Sequence, residues 1–192
     1  MIIVQKLVAT LLMLILLPLL ILIGVLVFVT MGTPIFFSQK RTGLNGKIFK
    51  IAKFRTMTTK QGEDSVRLTW FGSQLRRVSC DELPQIWNIV NGDMNFIGPR
   101  PLLPEYMPLY SDFQKRRNEV KPGVTGWAQI NGRNAITWEQ KFEFDVWYVD
   151  HKSFKLNCYI LLRTIALVIT GSGVSASNHA TMEPFKGTKS DE

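Results

Sequence analysis

From Leu7 to Met31 the chain runs for 25 residues without a charged side chain, and most of them are aliphatic. As one helix this stretch would reach about 37 Å at about 1.5 Å per residue, enough to cross a hydrocarbon core of about 30 Å. Pro18 stands near its middle, where it removes one backbone donor and crowds the preceding turn, so a kink or break is expected there. The arms on either side would be only about 17 and 21 Å long, each too short to span alone. A tilted spanning helix and a re-entrant segment that enters and leaves by one face both fit. A cleaved signal peptide fits less well, because the apolar run is long and no small-residue cleavage site follows before Gly32-Thr33-Pro34. Lys40, Arg41, Lys47, Lys50, Lys53, Arg55 and Lys60 crowd the following thirty residues. The positive-inside rule then keeps that stretch, and the rest of the protein, cytosolic.

The 192 residues suffice for one domain plus this attachment. A balance of 23 Lys and Arg against 15 Asp and Glu points to an anionic partner, whether nucleotide, nucleic acid or acidic lipid. Cys80 and Cys158 have no metal-ligand spacing and form no disulfide framework, so they read as free thiols in a reducing compartment.

In the soluble part, residues Ile35 to Ser38 and Ile48 to Phe54 read as two short strands joined through Thr42-Gly43-Leu44-Asn45-Gly46. Arg67 to Val78 places Trp70, Phe71, Leu75 and Val78 at helical spacing. A helix start at Ser79 to Gln85 leads into Ile86, Ile89 and Val90, followed by the turn Asn91-Gly92-Asp93 and the rigid Gly98-Pro99-Arg100-Pro101. A charged helix is expected around Asp112 to Val120, then a glycine-rich stretch, then helices at Trp138 to Val149 and Leu156 to Ile169. The last carries Arg163 as its only charge, which suits a position in the membrane interface.

Asp81 and Glu82 are adjacent carboxylates at a helix start. Ser79 followed by Glu82 also matches a capping box, and taken alone the four residues favour that structural role. Arg100, held between two prolines, is a fixed guanidinium suited to phosphate. Arg133 in Asn131-Gly132-Arg133-Asn134 fits an oxyanion clamp and an exposed hairpin turn equally well. Lys53 and Arg55 alternate with apolar residues as on a half-buried strand, where surface charge is the default role. Asp93 reads as a turn residue. No zinc pattern, P-loop, dinucleotide fingerprint or Ser-His-Asp arrangement is present, and His151 and His179 lack a matching context. Any catalysis rests on carboxylates and cations.

Five segments occur in a recognisable order: KFRTM at Lys53 to Met57, DELPQ at Asp81 to Gln85, GDM at Gly92 to Met94, GPRP at Gly98 to Pro101 and PGVTGWAQINGRN at Pro122 to Asn134. From about Leu11 to Gly187 the chain resembles the bacterial sugar transferases, the monotopic polyprenyl-phosphate phosphoglycosyl transferases, in their short form. The resemblance implies an α+β fold: a re-entrant membrane helix broken at Pro18 (1–32), a compact cytosolic helical domain with a small β-hairpin and interfacial amphipathic helices (33–187), and a tail (188–192). Leu17 stands where the family has a serine before the proline, and the basic pair with a following acid that usually opens the family is absent.

The implied reaction moves a sugar 1-phosphate from a UDP-sugar to undecaprenyl phosphate and releases UMP. It would run through a covalent aspartyl-phosphosugar intermediate, at the first membrane step of glycoconjugate assembly. Asp81 is implied as nucleophile and Mg²⁺ ligand and Glu82 as its dyad partner. Arg100, Arg133, Lys53, Arg55 and Gln129 are implied to hold phosphate or nucleotide-sugar. The expected setting is the cytoplasmic face of the bacterial inner membrane, with membrane lipid and the two substrates as partners and no nucleic acid. The ending Ser172 to Ser175 with Pro184 to Gly187 resembles members acting on diacetylbacillosamine. Two other readings of the residues are a non-catalytic basic membrane-tethered binding protein and a UDP-sugar hydrolase.

Overall fold

The computed structural model describes residues 2–59, 61–132, 136–170 and 184–187. Arg133 and the Ser172 to Ser175 segment lie outside them. The fold is α+β, with eight α-helices and two two-stranded sheets among the described residues, and it divides into two compact units. One unit holds residues 1–39 and 50–92, the other 40–49 and 93–192.

The first unit begins with α1 (Ile2–Met31), the only described helix long and apolar enough to cross a membrane. Pro18 lies inside it, so the expected break does not interrupt the helix. Proline costs about 3 kcal/mol in a helix interior. Ending the helix there would free several carbonyl and N–H groups, each costing several kcal/mol in hydrocarbon. Most of its large side chains, from Ile3 through Val29, are exposed, as expected of a surface that lipid covers.

Both ends of α1 nevertheless rest on the same unit. Near its start, Lys6 Nζ donates to the Asn91 carbonyl at 3.2 Å, and Ala9 is fully buried. Further along, Ile23 and Val27 are buried with Phe54 and Leu75, against Ile35, Phe71, Cys80 and Leu83. Burying such side chains is worth roughly 1.5–3 kcal/mol each, so the helix contributes core as well as anchorage. α4 (Ile86–Asn91) packs along α1.

Strands β1 (Phe36–Thr42) and β2 (Ile48–Phe54) form the expected hairpin, with Asn45 and Gly46 at positive φ in its turn. The single helix expected over Arg67 to Val78 is instead α2 (Asp64–Arg67) and α3 (Trp70–Arg77). Leu68 pairs with Met57 between them, and the Thr69 hydroxyl caps α3 by accepting from the Gly72 N–H at 2.9 Å. Leu75 is buried, but Trp70 and Val78, expected on the same face, are exposed. At Gly72 a Cβ would lie 2.0 Å from the Thr56 carbonyl, so only glycine lets α3 close on the end of β2.

The second unit is organised by β3 (Asn95–Ile97) and β4 (Gly123–Thr125), a parallel pair with Asn95 opposite Gly123 and Ile97 opposite Thr125. The charged segment after Ser111 is α5 (Asp112–Lys115) continued by a 3-10 turn, Arg116–Glu119. α6 (Trp127–Ile130), α7 (Trp138–His151) and α8 (Phe154–Thr170) follow. One cluster buries Ile97, Val120, Ile130, Tyr148 and Ile160; another buries Leu102, Tyr110, Phe142 and Phe185. α8 buries Ile160 but leaves Phe154, Tyr159, Leu162, Ile165 and Ile169 exposed.

Candidate active site

In the first unit, α3 ends at Val78 and Ser79 turns the chain with φ 56°, a left-handed conformation that makes a sharp corner. A 3-10 turn, Cys80–Gln85, starts there and presents Asp81 and Glu82. The capping box does not form. The Ser79 side chain accepts no cap bond, and Glu82 reaches instead to β2, where Lys53 Nζ lies 2.5 Å from its Oε1. Both side chains of that pair are about one-sixth exposed, 17% and 16%, so the ion pair is shielded but reachable. Asp81 is buried. Burial, and then the Asp81 carboxylate beside it, push the neighbouring Cys80 thiol pKa upward.

Of the two β2-associated cations, only Lys53 joins the carboxylates. Arg55, expected on substrate phosphate, is buried, and its guanidinium donates to the carbonyls of Met31, Gly32 and Thr33 at 2.5, 2.7 and 3.0 Å. It caps the end of α1. On α3, Arg76 Nε donates to the Thr56 hydroxyl at 3.0 Å and fastens the helix to the KFRT segment.

In the second unit, the GPRP and PGVTGWAQ segments meet through glycine. A Cβ at Gly123 would stand 2.1 Å from the Gly98 N, and one at Gly126 would stand 2.2 Å from the Gly98 O. This backbone contact brings the Arg100 loop and α6 together. Gln129 on α6 has both amide atoms buried and without a hydrogen-bond partner, an arrangement that costs about 1–3 kcal/mol per polar group.

Arg100 is half-buried, and its carbonyl is fixed from behind by Arg117, whose Nη2 donates to it at 2.6 Å. Arg117 is itself buried on Asp145, with Nε and Nη2 at 3.0 and 2.7 Å from Oδ2. Lys141, one turn before Asp145, lies 4.4 Å from the Trp138 ring centre, and burial lowers its pKa to about 8. None of these three was singled out from sequence. The available signal was the presence of Lys141 and Asp145 at i and i+4 within the inward stripe of α7, Lys141, Phe142, Asp145 and Val146.

No group of three or more His, Cys, Asp or Glu side chains capable of holding a metal occurs among the described residues. Mg²⁺ shared with a substrate diphosphate would take only one or two protein carboxylates, and the adjacent acids Asp81 and Glu82 are the pair that would supply them.

The first unit thus carries an apolar helix long enough to cross a membrane and a lysine fixed on one of two adjacent carboxylates, and the second a braced arginine between prolines. The chain belongs to the bacterial sugar transferase family, whose profile matches residues 2–171, and is a phosphoglycosyl transferase. It is 54% identical over 163 residues to the uncharacterized sugar transferase EpsL of Bacillus subtilis, covering 82% of this chain and 81% of that one. With the exopolysaccharide production protein ExoY of Sinorhizobium fredii it shares 35% identity over 81% of this chain and 79% of the relative. With the UDP-glucose:undecaprenyl-phosphate glucose-1-phosphate transferase of Escherichia coli it shares 37% over 82% of this chain, but spans only 37% of that longer protein.

Proposed function

We propose that the protein transfers a sugar 1-phosphate from a UDP-sugar to undecaprenyl phosphate at the cytoplasmic face of the bacterial membrane, with Asp81 as a covalent nucleophile. The observation that carries this reading is the Lys53–Glu82 pair beside buried Asp81, at a corner that serves no helix cap. Support for the substrates comes from relatives named as UDP-glucose:undecaprenyl-phosphate glucose-1-phosphate transferases and as a UDP-galactose-lipid carrier transferase.

The Asp81 carboxylate attacks the β-phosphorus without a general base. A bond forms from the Asp81 carboxylate oxygen to that phosphorus, and the bond to the bridging oxygen breaks with its electron pair leaving on UMP. The lipid phosphate then attacks the same phosphorus, and the carboxylate departs. Neither step removes a proton, so Glu82, held by Lys53, orients rather than acts as base. Mg²⁺, when bound with the donor at Asp81, supplies charge neutralisation to the diphosphate. Arg100 and Gln129 are assigned to the donor.

The contacts at both ends of α1 support re-entry. Lys6 near its start and Met31 at its end both bond to residues of one unit, which supports a helix whose two ends stay on one side of the bilayer. The exposed apolar face of α8 supports a place for that helix in the interface.

The test is UMP release from UDP-glucose, UDP-galactose and UDP-N-acetylated aminosugars with undecaprenyl phosphate, combined with mass spectrometry of the Asp81 peptide. A phosphosugar adduct lost in Asp81→Asn is expected. Turnover with no adduct under donor-only conditions sinks the covalent route, and free sugar phosphate in place of lipid product identifies a hydrolase.

A further inference from the structure

A helix end leaves its last four carbonyls without intrahelical donors. At the end of α1 those groups sit where a segment clad in lipid-facing side chains returns to the folded unit. Gly32, at φ 72°, closes the helix with its N–H on the Phe28 carbonyl at 2.8 Å. One guanidinium, that of Arg55, then donates to Met31, Gly32 and Thr33, while the Arg55 N–H donates to the Ile35 carbonyl at 2.9 Å. Two residues earlier is Lys53, the cation on Glu82. Phe54, between them, is buried with Ile23 and Val27 of α1. Three consecutive residues thus hold the carboxylate corner, the side of the membrane helix and its end.

We propose that Arg55 is a positioning residue that fixes the exit of the membrane helix to the strand carrying Lys53, and thereby sets where a lipid-borne phosphate meets Asp81. This rests on the reading that the acceptor is a polyprenyl phosphate. Arginine suits the task because its planar fork places several N–H groups toward separate carbonyls. Lysine offers one nitrogen and cannot reproduce that span. Because its guanidinium is engaged on backbone at the end of α1, loss of Arg55 acts on the lipid through that helix.

The experiment uses the full chain in nanodiscs of phosphatidylethanolamine and phosphatidylglycerol, comparing wild type with Arg55→Lys and Arg55→Ala. The donor is whichever UDP-sugar of the panel above turns over fastest. KM for undecaprenyl phosphate should rise about tenfold or more, since misplacement by about 1 Å can cost as much as a hundredfold. KM for the UDP-sugar should stay within about threefold, because binding of the donor does not depend on the helix exit. Hydrogen exchange, which needs no donor, should show residues 28–35 losing protection in both variants while residues 123–130 keep theirs. If Arg55→Ala fails to accumulate, Arg55→Lys carries the test. Equal rises in both KM values, or unchanged protection at residues 28–35, would overturn the proposal. Absence of an Asp81 adduct in wild type, with the KM split still seen in the variants, removes the covalent reading and leaves this one standing.

Discussion

Arg117 holds the carbonyl of Arg100 at 2.6 Å with the same Nη2 that lies 2.7 Å from Asp145 Oδ2. A fully buried ion pair therefore serves as the back wall of the loop that presents Arg100. Removing one partner of such a pair costs about 3–5 kcal/mol, because the other charge is left buried without compensation.

Asp145→Asn should accordingly lower unfolding stability by an amount of that order, measured by urea titration. The double variant Arg117→Met with Asp145→Leu should recover much of the lost stability, since apolar replacement of both charges is often neutral. Its transferase activity should remain at least about tenfold down, because the Arg100 carbonyl has lost its donor. Full recovery of activity along with stability would show that Arg117 braces nothing catalytic.

Glu82→Gln should retain clearly more UMP release than Asp81→Asn, since Glu82 is held by Lys53 and no proton must be removed. Lys53→Met leaves Glu82 without its cation, and adding Glu82→Gln should cost little more; the double-mutant cycle is expected to show about 1–3 kcal/mol of coupling in transition-state terms. Additive losses would mean that the 2.5 Å pair is not a functional unit.

Gly123→Ala places a methyl group 2.1 Å from the Gly98 N. The two backbones must then part, opening the β3–β4 seam that joins the GPRP and PGVTGWAQ segments. A loss of at least about 1–3 kcal/mol in unfolding stability is expected from overpacking alone. Gly32 offers a contrast, since no atom lies within 4 Å of its Cβ position and the cost of Gly32→Ala should arise from its positive φ.

Lys141 gives a pH signature. Its pKa falls from 10.5 to about 8, chiefly through burial, so the unfolded chain binds more protons between those values. Stability contributed by this group therefore rises with pH across that window, and its burial penalty is fully present below about pH 8. The stability advantage of Lys141→Met over wild type, measured by thermal unfolding at pH 7 and again near pH 10, should shrink at the higher pH. An advantage that grows instead would mean that Lys141 is held as a cation.

The features readable from sequence were those carried by local pattern. The charge-free run announced α1, the turn-forming residues Thr42 to Gly46 announced the hairpin, and helical spacing placed α7 and α8 within two residues of their observed bounds. At Pro18 a kink or break is expected and the helix is not interrupted, because a local rule about helix interiors competes, in lipid, with the cost of freeing backbone groups. β3 and β4 were missed because each is three residues long and their pairing is parallel and non-local. In the site, the adjacent acids are visible as a motif, whereas nothing local shows that the Arg55 guanidinium turns back to residues 31–33. Arg117 and Asp145 are 28 positions apart, and only tertiary structure pairs them.

Ile23 and Val27 belong to the same buried cluster as Phe54 and Leu75. The bilayer is thus thermodynamically a ligand of the native state, since the segment it solvates also completes a core in the aqueous domain. Membrane targeting and folding become a single biogenesis event. A nascent chain that misses the membrane is denied part of its interior, which makes it a ready client for chaperones and proteases and confines active enzyme to the lipid surface.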